Sequence, residues 1–210
     1  LISASDALVL LREGNQRFAS DATDRDSITR RVRRMDLTKG QQPFAAVLGC
    51  SDSRVPVEIV FDQGLGDLFV IRVAGNIVAP SQIGSVEFAA EQFGTRLVVV
   101  LGHSRCGAIE ATLEQLRRPA ENQSRNLRSI VDLVRPSVQG LLDTSIAHDH
   151  ENLVHHAVRA NIRASVHHLR HGSDVIENLI HNAGLLVVGA EYSLETGVVD
   201  FFEGVTPEAP

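Results

Sequence analysis

The sequence contains no tryptophan, one tyrosine, one methionine and two cysteines in 210 residues. Two cysteines, Cys50 and Cys106, do not make a disulfide framework in a chain of this length, which leaves metal binding or catalysis as their alternative use. No apolar run is long enough to cross a bilayer, and the longest, Leu97 to Leu101, reads as a buried strand. Nor is there an excess of basic residues: the net charge is −6, so no nucleic-acid surface is expected. Membrane and nucleic-acid partners are therefore not expected. The sequence opens at Leu1 rather than Met. A cytoplasmic location is the expectation, with room left for a removed targeting peptide.

What is present is enough apolar residue, 43%, to build a core and to exclude wholesale disorder. Length suits one domain over residues 1–210, with residues 1–38 as a helical arm. Ala7, Leu8, Leu10, Leu11 and Phe18 fall at helical spacing within 4–19, with Ser5 as cap, and residues 28–38 are basic and weakly helical. The arm has little apolar content and is expected to pack on another subunit, with a solvated helical lead-in as the alternative. Asp21 to Thr29 reads as a loop.

From Pro43 the pattern changes. Apolar runs bounded by glycine occur at Phe44–Gly49, Leu68–Val73, Leu97–Gly102 and Leu185–Gly189, with a fifth at Val198–Phe202. Valine-rich runs of this kind suggest buried parallel strands. Helical patterns lie between them at Ile83–Phe93, Cys106–Arg117, Leu127–Val134 and Asn152–Arg170. The alternation predicts an α/β fold with a mostly parallel central sheet of four to five strands flanked by helices. Of nine histidines, most lie between His148 and His181 and read as solvated or capping side chains. His103 is the exception.

Two segments carry chemistry: Gly49-Cys50-Ser51-Asp52-Ser53-Arg54 and Gly102-His103-Ser104-Arg105-Cys106-Gly107. Each follows directly on a predicted strand. In an open parallel sheet, ligands bind outside the carboxyl ends of the strands where the strand order reverses. If the strands from Phe44 and Leu97 flank that reversal, Cys50, His103 and Cys106 converge in one crevice. Two thiolates and an imidazole suit zinc, and three protein ligands leave one open position for catalysis. A redox pair would need C-x-x-C spacing, which is absent, and a buried inert cysteine is the bland reading of either one alone. Asp52 and Arg54, two residues apart, can pair. Asp52 is then free to accept a hydrogen bond from water or to become a fourth ligand.

The pattern Cys50-Ser-Asp-Ser-Arg54 followed by His103-Ser-Arg-Cys106-Gly107 resembles the β-class carbonic anhydrases. The likeness continues through Phe61–Phe69, Val70–Asn76 and Gly84–Ala89, and covers most of residues 40–115. The resemblance implies a zinc lyase that interconverts carbon dioxide and bicarbonate, with one Zn(2+) per chain. It places the metal on Cys50, His103 and Cys106 and a catalytic dyad at Asp52 and Arg54. Asp52 is also a possible fourth ligand in an inactive state. It implies a substrate pocket with Gln41, Phe69 and Gly107, and a homodimer or homotetramer whose subunits share pockets. Zinc makes hydroxide available near neutral pH for attack on carbon dioxide. Two anionic cysteines weaken that effect relative to three imidazoles, so a somewhat higher working pH is expected. The same scaffold suits carbonyl sulfide, and a permanently bound Asp52 would make the zinc structural. A regulatory bicarbonate pocket known in some members requires a tryptophan, and Val47 stands at that position. Arg72 and Tyr192 match the rest of its pattern.

Overall fold

The structure, a computed structural model, describes residues 2–23, 31–118 and 124–205, without the side chains of residues 31–33. Five strands form one sheet: β1 (Ala45–Gly49), β2 (Leu68–Arg72), β3 (Leu97–His103), β4 (Leu186–Tyr192) and β5 (Val199–Glu203). Their spatial order is β2-β1-β3-β4-β5, parallel except for β5. Every residue of β1 and β3 is buried. A strand covered on both faces has no solvent side to alternate toward, hence the unbroken apolar runs in the sequence.

Helices cover both faces. On one lie α4 (Pro80–Gln92), α5 (Gly107–Arg117), α6 (Arg125–Val138), α7 (His150–His171) and α8 (Asp174–Ala183). They pack Val86, Ile109, Val134, Ile162 and Ile176 into one core layer with Leu48, Val98 and Val100. Gly102 and Gly189 permit this closeness: a Cβ at either would fall within 2.7 Å of the Ile162 side chain. On the other face α1 (Ala4–Ala19) and the single turn α3 (Val57–Val60) cover Val47, Val99 and Leu101. The segment α2 (Arg31–Asp36) runs into a 3-10 turn that ends before β1.

The expected N-terminal arm is corrected in two respects. First, α1 lies on its own sheet: Ala7 and Leu11, one turn apart, are fully buried there. Buried Asn15 ties it down, donating to the carbonyls of Val60 and Gly197 and accepting from the Val199 amide. Such a fully partnered buried amide is costly to undo. Second, the cap is Ser3, whose Oγ accepts from the Asp6 amide, rather than Ser5. The outer face of α1 still exposes Val9 and Leu10. Most of the loop expected over Asp21–Thr29 lies outside the described residues. Among the described residues no helix is long and apolar enough to cross a membrane.

Candidate metal centre

The chain leaves β1 toward β2 on one side of the sheet and takes up β3 on the other, so the strand order reverses between β1 and β3. Their C-terminal ends are hydrogen-bonded neighbours, with Gly49 opposite Leu101. Cys50 follows β1 directly, His103 ends β3, and Cys106 is the cap residue of α5. Strand ends diverge at such a point and leave a crevice. The three side chains meet in it with their donor atoms all within 4.8 Å of one another. All three are buried, with His103 at 0% exposure. Among the described residues no other set of three or more histidine, cysteine or acidic side chains converges in this way. The histidines of α7 therefore form no such cluster. His167 and His171 lie ring to ring one turn apart, and His171 faces Glu177 at 3.5 Å.

The hydrogen bonding of the cluster is specific. His103 Nδ1 lies 2.9 Å from the Ser104 carbonyl oxygen. A carbonyl only accepts, so Nδ1 carries the proton and Nε2 presents its lone pair. That Nε2 is buried and has no hydrogen-bond partner. The two sulfurs are 4.0 Å apart, and the Gly75 amide donates to Cys50 Sγ. The contact with the Cys106 sulfur lowers the Cys50 pKa against the opposing effect of burial. The same contact, with burial, pushes Cys106 up. A buried imidazole lone pair without a partner, beside two sulfurs of which one is readily ionised, fits a soft cation that prefers tetrahedral N/S ligation.

Asp52 stands beside this cluster. Arg54 grips it bidentately, Nε to Oδ1 at 2.9 Å and Nη2 to Oδ2 at 2.7 Å, and the Arg54 amide adds a third bond to Oδ1. These bonds hold its carboxyl well below the usual carboxylate range. Asp52 Oδ2 is 3.9 Å from His103 Nε2. The sequence-predicted pair is therefore formed, and it sits within reach of the donor cluster.

The other expected site residues divide. Gly107 opens α5 next to Cys106, is exposed, and a Cβ there would meet nothing within 4 Å. Gln41 precedes β1 and lies at the opposite end of that strand from Cys50, so this chain does not bring it to its own cluster. Phe69, near the start of the edge strand β2, packs with Phe88 and Phe93 at 6.1 and 6.0 Å. Tyr192 is buried in the core layer shared with α1, where it neighbours Phe18. Arg72 clasps the first loop through the carbonyls of Cys50 and Asp52. Sequence reasoning missed that clasp, and with it Gly75, Ser104 and Glu195. The parallel register that sets Arg72 beside Gly49 was the only signal for any of them.

The chain is similar to known proteins in both sequence and fold. A family model described as carbonic anhydrase matches residues 45–199. Carbonic anhydrase 2 of Mycobacterium tuberculosis is 37% identical over 187 residues, covering 89% of this chain and 87% of that one. A carbonic anhydrase of Mycolicibacterium smegmatis is 46% identical over 128 residues, 61% of each chain. Among solved structures, the β-carbonic anhydrase CcaA superposes with a TM-score of 0.73 at 28% identity, covering 96% of this chain and 94% of that one. A tetrameric β-carbonic anhydrase of Sordaria macrospora superposes with a TM-score of 0.69 at 26% identity, over 80% and 85%.

Proposed function

Because the chain belongs to the carbonic anhydrase family, in its β class, we propose that it catalyses the zinc-dependent, reversible hydration of carbon dioxide to bicarbonate and a proton. Cys50, His103 and Cys106 hold one zinc ion per chain in this reading. The observation that carries it is the buried, unpartnered Nε2 of His103 in a cluster whose three side chains offer donor atoms within 4.8 Å of one another. Zinc supplies a Lewis acid that makes water nucleophilic near neutral pH.

The chain's own residues do the rest. The Ser104 carbonyl fixes the His103 tautomer that keeps Nε2 available. Arg54 keeps Asp52 ionised and turned so that Oδ2 can accept a hydrogen bond from the reacting water and orient it. Carbon dioxide is small and uncharged and needs no polar anchor, and Gly107, beside Cys106, presents no side chain to obstruct it. Gln41 and Phe69 lie away from their own cluster, so their part in a pocket requires a second copy of the chain. The reading therefore includes a homodimer or homotetramer, with residues 1–210 acting as one unit. In the resting alternative Asp52 leaves Arg54 and closes the metal site; three hydrogen bonds to Arg54 favour the open arrangement.

The test is carbon dioxide hydration followed by stopped flow above about pH 8, where hydroxide is favoured over a competing carboxylate. Activity should vanish when the metal is stripped by a chelator and return with one equivalent of zinc. Zinc-replete protein with no hydration activity would exclude the assignment.

A further inference from the structure

We propose that Glu195 is a positioning residue for the metal-binding loop, splinting both residues that separate His103 from Cys106; the inference rests on the function proposed above. Glu195 lies in the turn between β4 and β5, 91 residues from Ser104 in sequence. Its Oε2 accepts from Ser104 Oγ at 2.8 Å. Its Oε1 pairs with Arg105 Nε at 2.8 Å. One carboxylate thus holds two consecutive residues.

What those two residues do makes the contact consequential. The Ser104 carbonyl accepts from His103 Nδ1 and so sets the tautomer and the plane of the imidazole. The Arg105 carbonyl accepts from Arg54 Nη2 at 3.2 Å, the same nitrogen that grips Asp52 Oδ2. Both carbonyls that orient the site therefore belong to residues held by Glu195. Arg105 also has a φ of 50°, left-handed backbone that a side chain disfavours and that persists only when the surroundings impose it. The turn imposes it at further points. Ser104 Oγ accepts from the Leu194 amide, and the Ser104 amide donates to the Tyr192 carbonyl. Ser193 Oγ also donates to Glu195 Oε2, which fixes the carboxylate within its own turn.

A solvated ion pair is the competing description. Arg105 and Glu195 are 64% and 46% exposed, and a pair so exposed contributes little by itself. The Ser104 bond distinguishes the two, because it bears on the peptide that orients a metal ligand. Losing an outer partner of a ligating histidine typically costs 10–100-fold in metal retention or activity.

The experiment compares zinc-loaded parent, Glu195→Ala and Glu195→Gln in excess chromophoric chelator, together with the visible spectra of their cobalt(II)-substituted forms. Glu195→Ala should release zinc at least about tenfold faster than the parent and shift the cobalt d–d bands. Glu195→Gln keeps an amide oxygen for Ser104 but cannot neutralise Arg105, so it should fall between the two. Glu195 is half exposed, and neither substitution opens the core. Parental release kinetics and an unchanged cobalt spectrum in Glu195→Ala would overturn the inference alone. A parent that takes up neither metal would overturn it together with the proposed function.

Discussion

Cys106→Ser should yield a folded chain that no longer retains zinc, with carbon dioxide hydration reduced by more than ~100-fold, beyond what loss of an outer partner costs. Cys50→Ser and His103→Ala should behave alike. The three donors are buried and lie within 4.8 Å of one another, so each supplies a large share of a small ligand set. Serine is nearly isosteric with cysteine but is a poor ligand at neutral pH, because its hydroxyl does not ionise as a thiol does. Metal binding also couples to folding. Zinc should therefore raise the melting temperature of the parent and leave that of each variant unchanged. Metal analysis per chain, with melting curves before and after chelation, checks both expectations. Full zinc content in any one variant would remove that residue from the ligand set.

Arg54→Ala should separate activity from metal content. Hydration should fall at least ~10-fold, about 1.4 kcal/mol in barrier, with zinc near one per chain. In the parent, Asp52 is committed to Arg54 by three hydrogen bonds while its Oδ2 stays 3.9 Å from His103 Nε2. Removing the guanidinium deletes two of those bonds, and the proposed metal position is the nearest cationic replacement. The carboxylate then blocks the place that water must occupy. The same bonds hold the Asp52 pKa low, so Asp52 in the parent stays ionised throughout the working range. The block in Arg54→Ala should ease as pH rises, because hydroxide competes with a carboxylate better than water does. Parental turnover across pH 7 to 9 would remove Arg54 from the mechanism.

The central strands were legible because burial on both faces leaves no alternation to confuse, and β1 and β3 appear as unbroken apolar runs. Strand β4 runs on past Gly189 to Tyr192, which the sequence hid behind Glu191. Glu191 is buried, but it pairs with Arg159 on α7, a partner that only the fold supplies. Helix α8 was missed although its signals are present: Ser173 caps it through the Ile176 amide, and Gly184 ends it in the left-handed region. The polar Gly172-Ser173-Asp174, inside the histidine-rich stretch, masked them. Likewise α1 looked weakly cored because its buried face is Ala4, Ala7, Gly14 and the polar Asn15, with Leu11 alone as a large apolar side chain.

Within the site, spacing sufficed where the partners are close in sequence. Asp52 and Arg54 are two residues apart, and His103 and Cys106 three. The convergence of Cys50 with His103 and Cys106 needed one further assumption, that β1 and β3 flank the reversal of strand order, and they do. Arg72, Gly75 and Glu195 act through register or through a distant turn, and no local pattern announces them. Gln41 shows the opposite limit. Its place in the sequence pattern suggested a pocket residue, yet five residues of strand separate its end of the sheet from Cys50.

The atoms that surround the metal decide whether Cys50, His103 and Cys106 bind it. X-ray absorption at the zinc edge of the purified protein should show two sulfurs at about 2.3 Å and light-atom ligands at about 2.0–2.1 Å, one of them an imidazole nitrogen. Raising the pH from 7 to 9 should keep both sulfurs. A first shell with no sulfur, or with only one, would contradict the assignment of Cys50, His103 and Cys106 as the zinc ligands.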